Sequence, residues 1–371
     1  MKVKLSDLYD IGSSKRVFQS EWRDSGVPFY RAREIAKLSS DGFVDNELFI
    51  DEELYSEYIE KYGKPEAGDV MVTGVGTLGV CYVVKPDDRF YFKDGNILWF
   101  KQKAKDKILP EYLVKAFDSK EVKDFIDKNS SGTTVGTFTI QTAKKMEISL
   151  PSLGEQREII DKVKKIEAII KQRKQELQLL DDLIKARFVE LFGMPLDKSK
   201  ANMKFTDCVE FNPKKSEVKD MQDVEVSFVP MECVGVDGSF TIRENGLISN
   251  YYKGYTYFRD GDVLLAKITP CFENGKAAIA EGCKNGIGFG TTEFHVARPK
   301  AGVSNSYWIK YMLKNDSVHD LATINMTGSA GQKRIQTPFF DKLKIFCPPI
   351  ELQNQFADFV KQVDKSKFTV Q

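Results

Sequence analysis

The chain has 371 residues, 42% hydrophobic and 29% charged, with 55 Lys+Arg against 54 Asp+Glu and a mean hydropathy of −0.35. That length gives room for two or three domains, and the composition excludes fibrous and broadly disordered classes. A net charge of +1 argues against a protein that coats nucleic acid non-specifically, while leaving room for local basic patches. Two histidines, His295 and His319, exclude a His-rich metal centre. Six scattered cysteines without a C-x-x-C pair speak against zinc and against a disulfide framework, and for a reducing cytoplasm. No apolar run approaches the ~18 residues of a membrane span, and Met1–Leu5 does not open a secretory signal. A cytoplasmic location without a membrane partner is therefore expected.

Along the chain, a strand after Pro28 leads into Tyr30-Arg31-Ala-Arg33. Strand-like runs follow at Val70–Thr73, Val80–Val84 and Ile97–Phe100, then an amphipathic helix over Pro110–Lys128 and a Ser/Thr/Gly loop over Asn129–Thr137. A last strand ends at Pro151. From Gln156 to Phe192 there is no Pro or Gly, and Gly193-Met-Pro195 stops the helix. Within it Ile159, Val163, Ile166, Ile170, Leu177, Leu180, Ile184 and Leu191 follow an alternating spacing of four and three, with arginine in the slots at 173 and 187. This predicts a coiled-coil seam on a strut about 55 Å long. The plan then recurs: strands over Val224–Val229, Asp262–Ile268 and Phe294–Ala297, a helix over Ser306–Ala322, a loop over Met326–Gly331, and a strand ending at Pro348.

The recurrence is a duplication. Gly68-Asp-Val-Met-Val72 returns as Gly261-Asp-Val-Leu-Leu265, offset by 193, and Ile140-Gln-Thr142 returns as Ile335-Gln-Thr337, offset by 195. Met146-Glu-Ile148 and Pro151-Ser-Leu153 match Leu343-Lys-Ile345 and Pro348-Pro-Ile350, both offset by 197. Four matches in order, drifting as small insertions would make them drift, mark a duplicated domain rather than a solenoid. Mixed strands and helices within each unit predict an α+β fold: two duplicated α/β domains joined by long coiled-coil helices. The expected boundaries are 1–150, 151–193 for the first helix, 194–347, and 348–371 for a second helix. In that second helix Phe356, Val360 and Val363 occupy the slots of Ile159, Val163 and Ile166. It reads as less than half as long as the first, which would leave the seam from Leu177 to Leu191 unpaired and predict concentration-dependent self-association.

Two variable domains, each closed by a proline-started helix, resemble the specificity subunit of Type I restriction–modification systems. The resemblance is carried by Ser131-Gly-Thr-Thr134 with Met146-Glu-Ile-Ser-Leu-Pro-Ser-Leu-Gly-Glu-Gln156. It is carried again by Thr327-Gly-Ser-Ala-Gly-Gln-Lys-Arg-Ile335 with Leu343-Lys-Ile-Phe-Cys-Pro-Pro-Ile-Glu-Leu-Gln353. It implies two target recognition domains, each reading one half of a gapped, asymmetric site in double-stranded DNA. It implies helices that space the domains and dock two methyltransferase subunits, with restriction/translocase subunits joining them. The chain itself would do no chemistry and hold no cofactor. S-adenosylmethionine, ATP and Mg would belong to the partners. Half-sites on one face of B-DNA lie about 34 Å apart or a multiple of that, a span the strut could bridge.

Candidate base readers are Arg31 and Arg33, which on a strand end would face the same way, and Gln332, Lys333 and Arg334 in the second Gly-rich loop. Thr133 and Thr134 offer hydroxyls in the first loop, and Lys267 follows the Gly261-Asp strand. Lys144, Lys214, Lys215, Lys253 and Lys284 are candidate phosphate contacts. The helix stretch Lys162–Lys174, with six basic residues and one acid, Glu167, suits phosphates, a partner or plain solvation equally well.

Gly74-Val-Gly-Thr-Leu-Gly79 spells a dinucleotide fingerprint but runs into strand-like Val80–Val84, so a hairpin or tight turn is expected there. No Asn/Asp-Pro-Pro-Tyr/Phe methyltransferase loop and no P-loop is present, and Asp341-Lys-Leu-Lys344 is too short to indicate a nuclease. The alternatives are a shortened, silent or self-associating specificity variant, or a coiled-coil scaffold that binds only protein. Salt-dependent DNA binding separates the scaffold from the rest.

Overall fold

Gly68-Asp69 and Gly261-Asp262 open the same local structure twice. Both glycines adopt positive φ (94° and 90°), where a side chain would be strained. Each aspartate then accepts a backbone N–H three residues back, from Glu66 at 3.0 Å and from Arg259 at 2.8 Å. The turn feeds a fully buried strand in each case. The structure is a computed structural model describing residues 1–130, 136–197, 199–221, 224–329 and 331–370. It divides into two compact units, Met1–Ile170 and Lys171–Gln371.

In the first unit the elements run β1 (Lys2–Lys4), α1 (Leu5–Leu8), β2 (Tyr9–Gly12), β3 (Val27–Tyr30), α2 (Ala32–Asp41), β4 (Phe49–Ile50) and α3 (Glu52–Tyr62). They continue as β5 (Val70–Thr73), β6 (Cys81–Val83), β7 (Tyr91–Phe92), β8 (Ile97–Gln102), α4 (Pro110–Phe117), α5 (Lys120–Asn129), α6 (Ile140–Lys145) and β9 (Glu147–Ser149). An antiparallel sheet has the order β2-β8-β5-β6, and a second has the order β4-β3-β7 with β3 and β7 parallel. The first strand pairs antiparallel with the last, β1 with β9. The largest core of this unit lies where α4, α5 and α6 cover the first sheet, around Leu98, Phe100, Leu113, Phe117 and Phe138.

Helix α7 (Leu153–Phe192) runs for 40 residues and crosses from one unit into the next. Ser152 and Glu155 start it with reciprocal hydrogen bonds: the Glu155 carboxylate accepts from the Ser152 N–H at 2.8 Å, and the Ser152 hydroxyl accepts from the Glu155 N–H at 3.4 Å.

The second unit then runs β10 (Met203–Lys204), α8 (Phe205–Cys208), β11 (Val209–Phe211), β12 (Glu225–Val229), β13 (Glu244–Leu247), α9 (Ile248–Tyr251), β14 (Thr256–Arg259), β15 (Val263–Ala266) and β16 (Ala277–Ile279). It closes with β17 (Ile287–Gly290), β18 (Phe294–Pro299), α10 (Ser306–Leu313), α11 (Asp316–Ile324), α12 (Thr337–Lys342), β19 (Lys344–Ile345) and α13 (Ile350–Val370). Its sheets, β11-β18-β15-β16 and β13-β12-β17-β14, repeat the first unit's strand order, including the one parallel pair, β12 with β17, and add an edge strand, β14. The pairing of β10 with β19 repeats that of β1 with β9. The fold is α+β and duplicated, as the sequence pattern implied.

Gln156 and Gln353, each fully buried, close the two units in the same way. The Gln156 carbonyl accepts from Leu109 N–H at 2.9 Å, and its amide donates to the carbonyls of Lys107 (2.7 Å) and Pro151 (2.9 Å). The Gln353 carbonyl accepts from Asn305 N–H at 3.0 Å, and its amide donates to Val303 and Pro348, both at 2.8 Å. A buried amide is tolerated because its partners are supplied. Each one ties the post-proline helix to the segment that enters the helix covering the sheet.

Three expectations change. Helix α13 has 21 residues against 40 in α7, more than half its length rather than less. Pro110–Lys128 and Ser306–Ala322 are each two helices. Ser119 and Asn315 break them by accepting, through side-chain oxygens, the N–H of Val122 (3.3 Å) and Ser317 (3.2 Å), which restarts the chain as a new helix. The uncovered seam of α7 also lies elsewhere than Leu177–Leu191. Helix α13 runs antiparallel to α7: Phe356 meets Phe188 and Phe192 (ring centroids 5.5 Å apart in both cases), and Lys367 reaches Asp181 at 2.6 Å. A helix that begins beside Phe192 and runs backwards covers the C-terminal part of α7 first. Ile184 is therefore fully buried, and Leu180 and Leu191 pack on the same core. Residues 164–175 are exposed all round, with Ile166 at 56% and Ile170 at 49%.

Candidate nucleic-acid interface

Strand β3 delivers Arg31 to the N-cap of α2, so Arg31 and Arg33 do not share a strand end; Arg33 lies in the first turn of the helix. They converge all the same, because Glu34 stands between them. Its carboxylate accepts from Arg31 N–H at 2.9 Å, from the Arg31 guanidinium at 3.1 and 2.8 Å, and from Arg33 Nε at 2.9 Å. Arg33 Nη2 also donates to Glu47 at 2.7 Å. Glu34 is 1% exposed. Burial alone would raise its pKa, but the hydrogen bonds from the two arginines outweigh it and hold the carboxyl at about 2. A guanidinium held this way is ordered, with part of its donor fork already committed.

In the second unit three loops meet. Lys267 accepts the N–H of Ile335 at 2.9 Å, its own N–H goes to Glu293 at 2.9 Å, and Lys333 accepts from Thr269 N–H at 2.9 Å. The candidates Lys267, Lys333 and Arg334 are thus brought together. Arg334 is gripped by Glu293, with Nε and Nη2 each 3.0 Å from a carboxylate oxygen, and donates to the Gln332 carbonyl at 3.1 Å. Gln332 and Lys333 are exposed. Of the remaining candidates, Lys144 is exposed in the last turn of α6, Lys253 is exposed just after α9, and Lys284 lies 3.5 Å from Glu225. Thr133 and Thr134 lie outside the described residues.

Pattern reading passed over Glu34, Glu47 and Glu293, because an acid next to an arginine carries no signal in a chain so rich in both. It also passed over Lys15. Lys15 and Lys215 stand at the same distance from the first residues of the matched strands β2 and β11. Lys15 Nζ lies 5.8 Å from the ring centre of Tyr62, the last residue of α3. Lys215 Nζ lies 5.3 Å from the ring centre of Tyr252, the C-cap of α9, and donates to its carbonyl at 2.8 Å. The loops beneath these lysines are bolted down. Ser14 Oγ donates to the Phe92 carbonyl at 2.6 Å, and Lys15 N–H donates to the Tyr91 hydroxyl at 3.0 Å. In the second unit Asn212, at φ 54°, accepts Val296 N–H at 3.0 Å. It also faces the buried His295, whose Nε2 donates to the Ile335 carbonyl at 2.9 Å.

The Gly74–Gly79 stretch joins antiparallel β5 and β6 and opens no helix; Gly79 N–H returns to the Thr73 carbonyl at 2.9 Å. Among the described residues no group of three or more His, Cys, Asp or Glu side chains is placed to hold a metal ion, and no helix is long and apolar enough to cross a membrane.

The sequence model of the type I restriction modification DNA specificity domain matches residues 1–179 and again 203–370. The chain belongs to that family. Its two matches coincide with the two copies of the fold. It is similar to the specificity subunits of the Type I restriction enzymes EcoAI and EcoEI of Escherichia coli, 45% identical over 154 and 148 residues. Those stretches are 40% and 39% of this chain, and the chain spans about a quarter of the length of either relative (25% and 24%). Two solved structures share the fold over 100% of this chain. One is the S subunit of the Type I restriction–modification system of M. genitalium (TM-score 0.51, 13% identity, 90% of that chain). The other comes from work on complex assembly and conformational transition of the type I R-M system (TM-score 0.57, 16% identity, 91% of that chain).

Proposed function

We propose that this specificity-family chain is the DNA-recognition subunit of a Type I restriction–modification complex. Each of its two domains reads one half of a gapped, asymmetric site in double-stranded DNA. The observation that carries this reading is the duplication of one fold with unlike surface residues. Among the described residues, Arg31 and Arg33 flank Glu34 in the first unit, whereas in the second Arg334 pairs with Glu293 beside the backbones of Lys267 and Lys333. Two equal frames with unlike faces suit two unlike half-sites. The same reading gives α7 and α13 the role of docking two methyltransferase subunits, with restriction/translocase subunits added to them. S-adenosylmethionine, ATP and Mg are held by those partners, the chain performs no chemistry, and the assembly works in the cytoplasm.

The test is deletion of the gene followed by mapping of methylated adenines in the host DNA. Loss of one gapped, asymmetric motif establishes the role and supplies both half-sites. An unchanged methylation pattern, with the chain nevertheless bound to methyltransferase subunits, would make it a silent variant. An unchanged pattern without such binding would leave a protein scaffold.

A further inference from the structure

We propose that each unit carries a phosphate-contacting lysine seated on a tyrosine, Lys15 on Tyr62 and Lys215 on Tyr252. Together these lysines grip the sugar–phosphate backbone of double-stranded DNA without reading its sequence. The inference rests on the DNA-recognition role proposed above and deepens it.

Arg31, Arg33 and Arg334 are committed to Glu34, Glu47 and Glu293. Lys15 and Lys215 have no carboxylate within ion-pair distance among the described residues, and neither do Lys64 and Lys253, which follow the two tyrosines. The acids nearby are occupied. Asp94 pairs with Arg16 at 3.0 Å, and Glu217 with Arg298 at 3.0 Å and Arg259 at 3.3 Å. A free ammonium on a solvated loop is ordinarily mobile. Here a tyrosine ring lies beneath it and the loop backbone is anchored to the sheet, so its charge is held in place at little entropic cost. Lys215 spends one of its three donors on the Tyr252 carbonyl and keeps two.

The arrangement occurs twice, on elements that the duplication makes equivalent: the loop after β2 or β11 and the end of α3 or α9. The sequences differ (Ser-Ser-Lys-Arg at 13–16, Pro-Lys-Lys-Ser at 213–216), yet the lysine and its ring persist. The parts of the two units that differ suit bases, which differ between half-sites. A part that is the same in both suits the feature every half-site shares, its phosphates.

The chain in complex with its modification subunits is titrated with a duplex carrying the mapped motif and with a scrambled duplex, over a series of salt concentrations. Lys15→Gln and Lys215→Gln are each expected to lower the slope of log affinity against log salt by about 0.9, and the double variant by about 1.8. The ratio of target to scrambled affinity should stay the same, and Lys→Arg at either position should restore the slope. An unimpaired unfolding midpoint shows that the variants fold. A wild-type slope in the double variant, an effect confined to one unit, or a changed target preference overturns the inference while leaving the recognition role standing. A wild-type complex that binds neither duplex overturns both.

Discussion

Gln156 and Gln353 show how much one buried residue can hold. Each satisfies three backbone groups that have no water to turn to, so Gln353→Leu strands the N–H of Asn305 and the carbonyls of Val303 and Pro348. The expected cost is about 2–4 kcal/mol, read as a lowered urea midpoint for the second unit. His295 gives a pH signature. Burial presses its pKa from 6.5 down to about 4, against the raising effect of the Ile335 carbonyl. The unfolded chain therefore takes the proton first. The stability this group contributes is complete above pH 6.5 and is lost as pH falls through the interval down to about 4. An NMR titration should place the His295 midpoint near 4; a midpoint near 6.5 would refute the buried, neutral ring. The sequence marked the glutamines only as matched ends of a repeated motif and His295 only as one of two histidines. Their burial depends on what other segments bring to them.

Helix α7 is legible as a helix from its composition, and its apolar spacing is real. What the spacing alone did not show is which part of the seam is covered. Ile166 and Ile184 look alike on a helical wheel, yet one is half exposed and the other fully buried, because α13 enters from the Phe192 end and runs backwards. Phe188→Ala and Phe356→Ala are expected to cost about 3–5 kcal/mol in the second unit. Ile166→Ala should stay within about 0.5 kcal/mol in the isolated chain. Equal losses in urea unfolding would mean that the middle of α7 is covered after all. The split of the sheet-covering helices into α4/α5 and α10/α11 was hidden for a related reason. Ser119 and Asn315 are ordinary polar residues on an amphipathic pattern until their side chains take the next turn's N–H groups.

At the scale of the whole chain, each unit has its own sheets, its own core clusters and its own glutamine clamp. Calorimetry should accordingly show Gln156→Leu lowering one unfolding transition and Gln353→Leu lowering another; one merged shift would mean that the units unfold together. The duplication, the α+β class, the long helix and the family were all decided by the sequence alone. Repeats, hydrophobic period and turn residues are local or periodic properties that survive without coordinates. The tertiary structure alone decided which charges are free. Arg31, Arg33 and Arg334 stood out in the sequence as candidate base readers, and in the fold a carboxylate sits against each. Lys15 was unremarkable until folding set it over Tyr62, the counterpart of Lys215 over Tyr252. Glu34 lies beside Arg31 and Arg33 in the chain, but its burial between them is set by the fold. The Arg334–Glu293 pair and the two lysine–tyrosine contacts join segments far apart in the chain, and chain order does not encode those distances until the strands are in register.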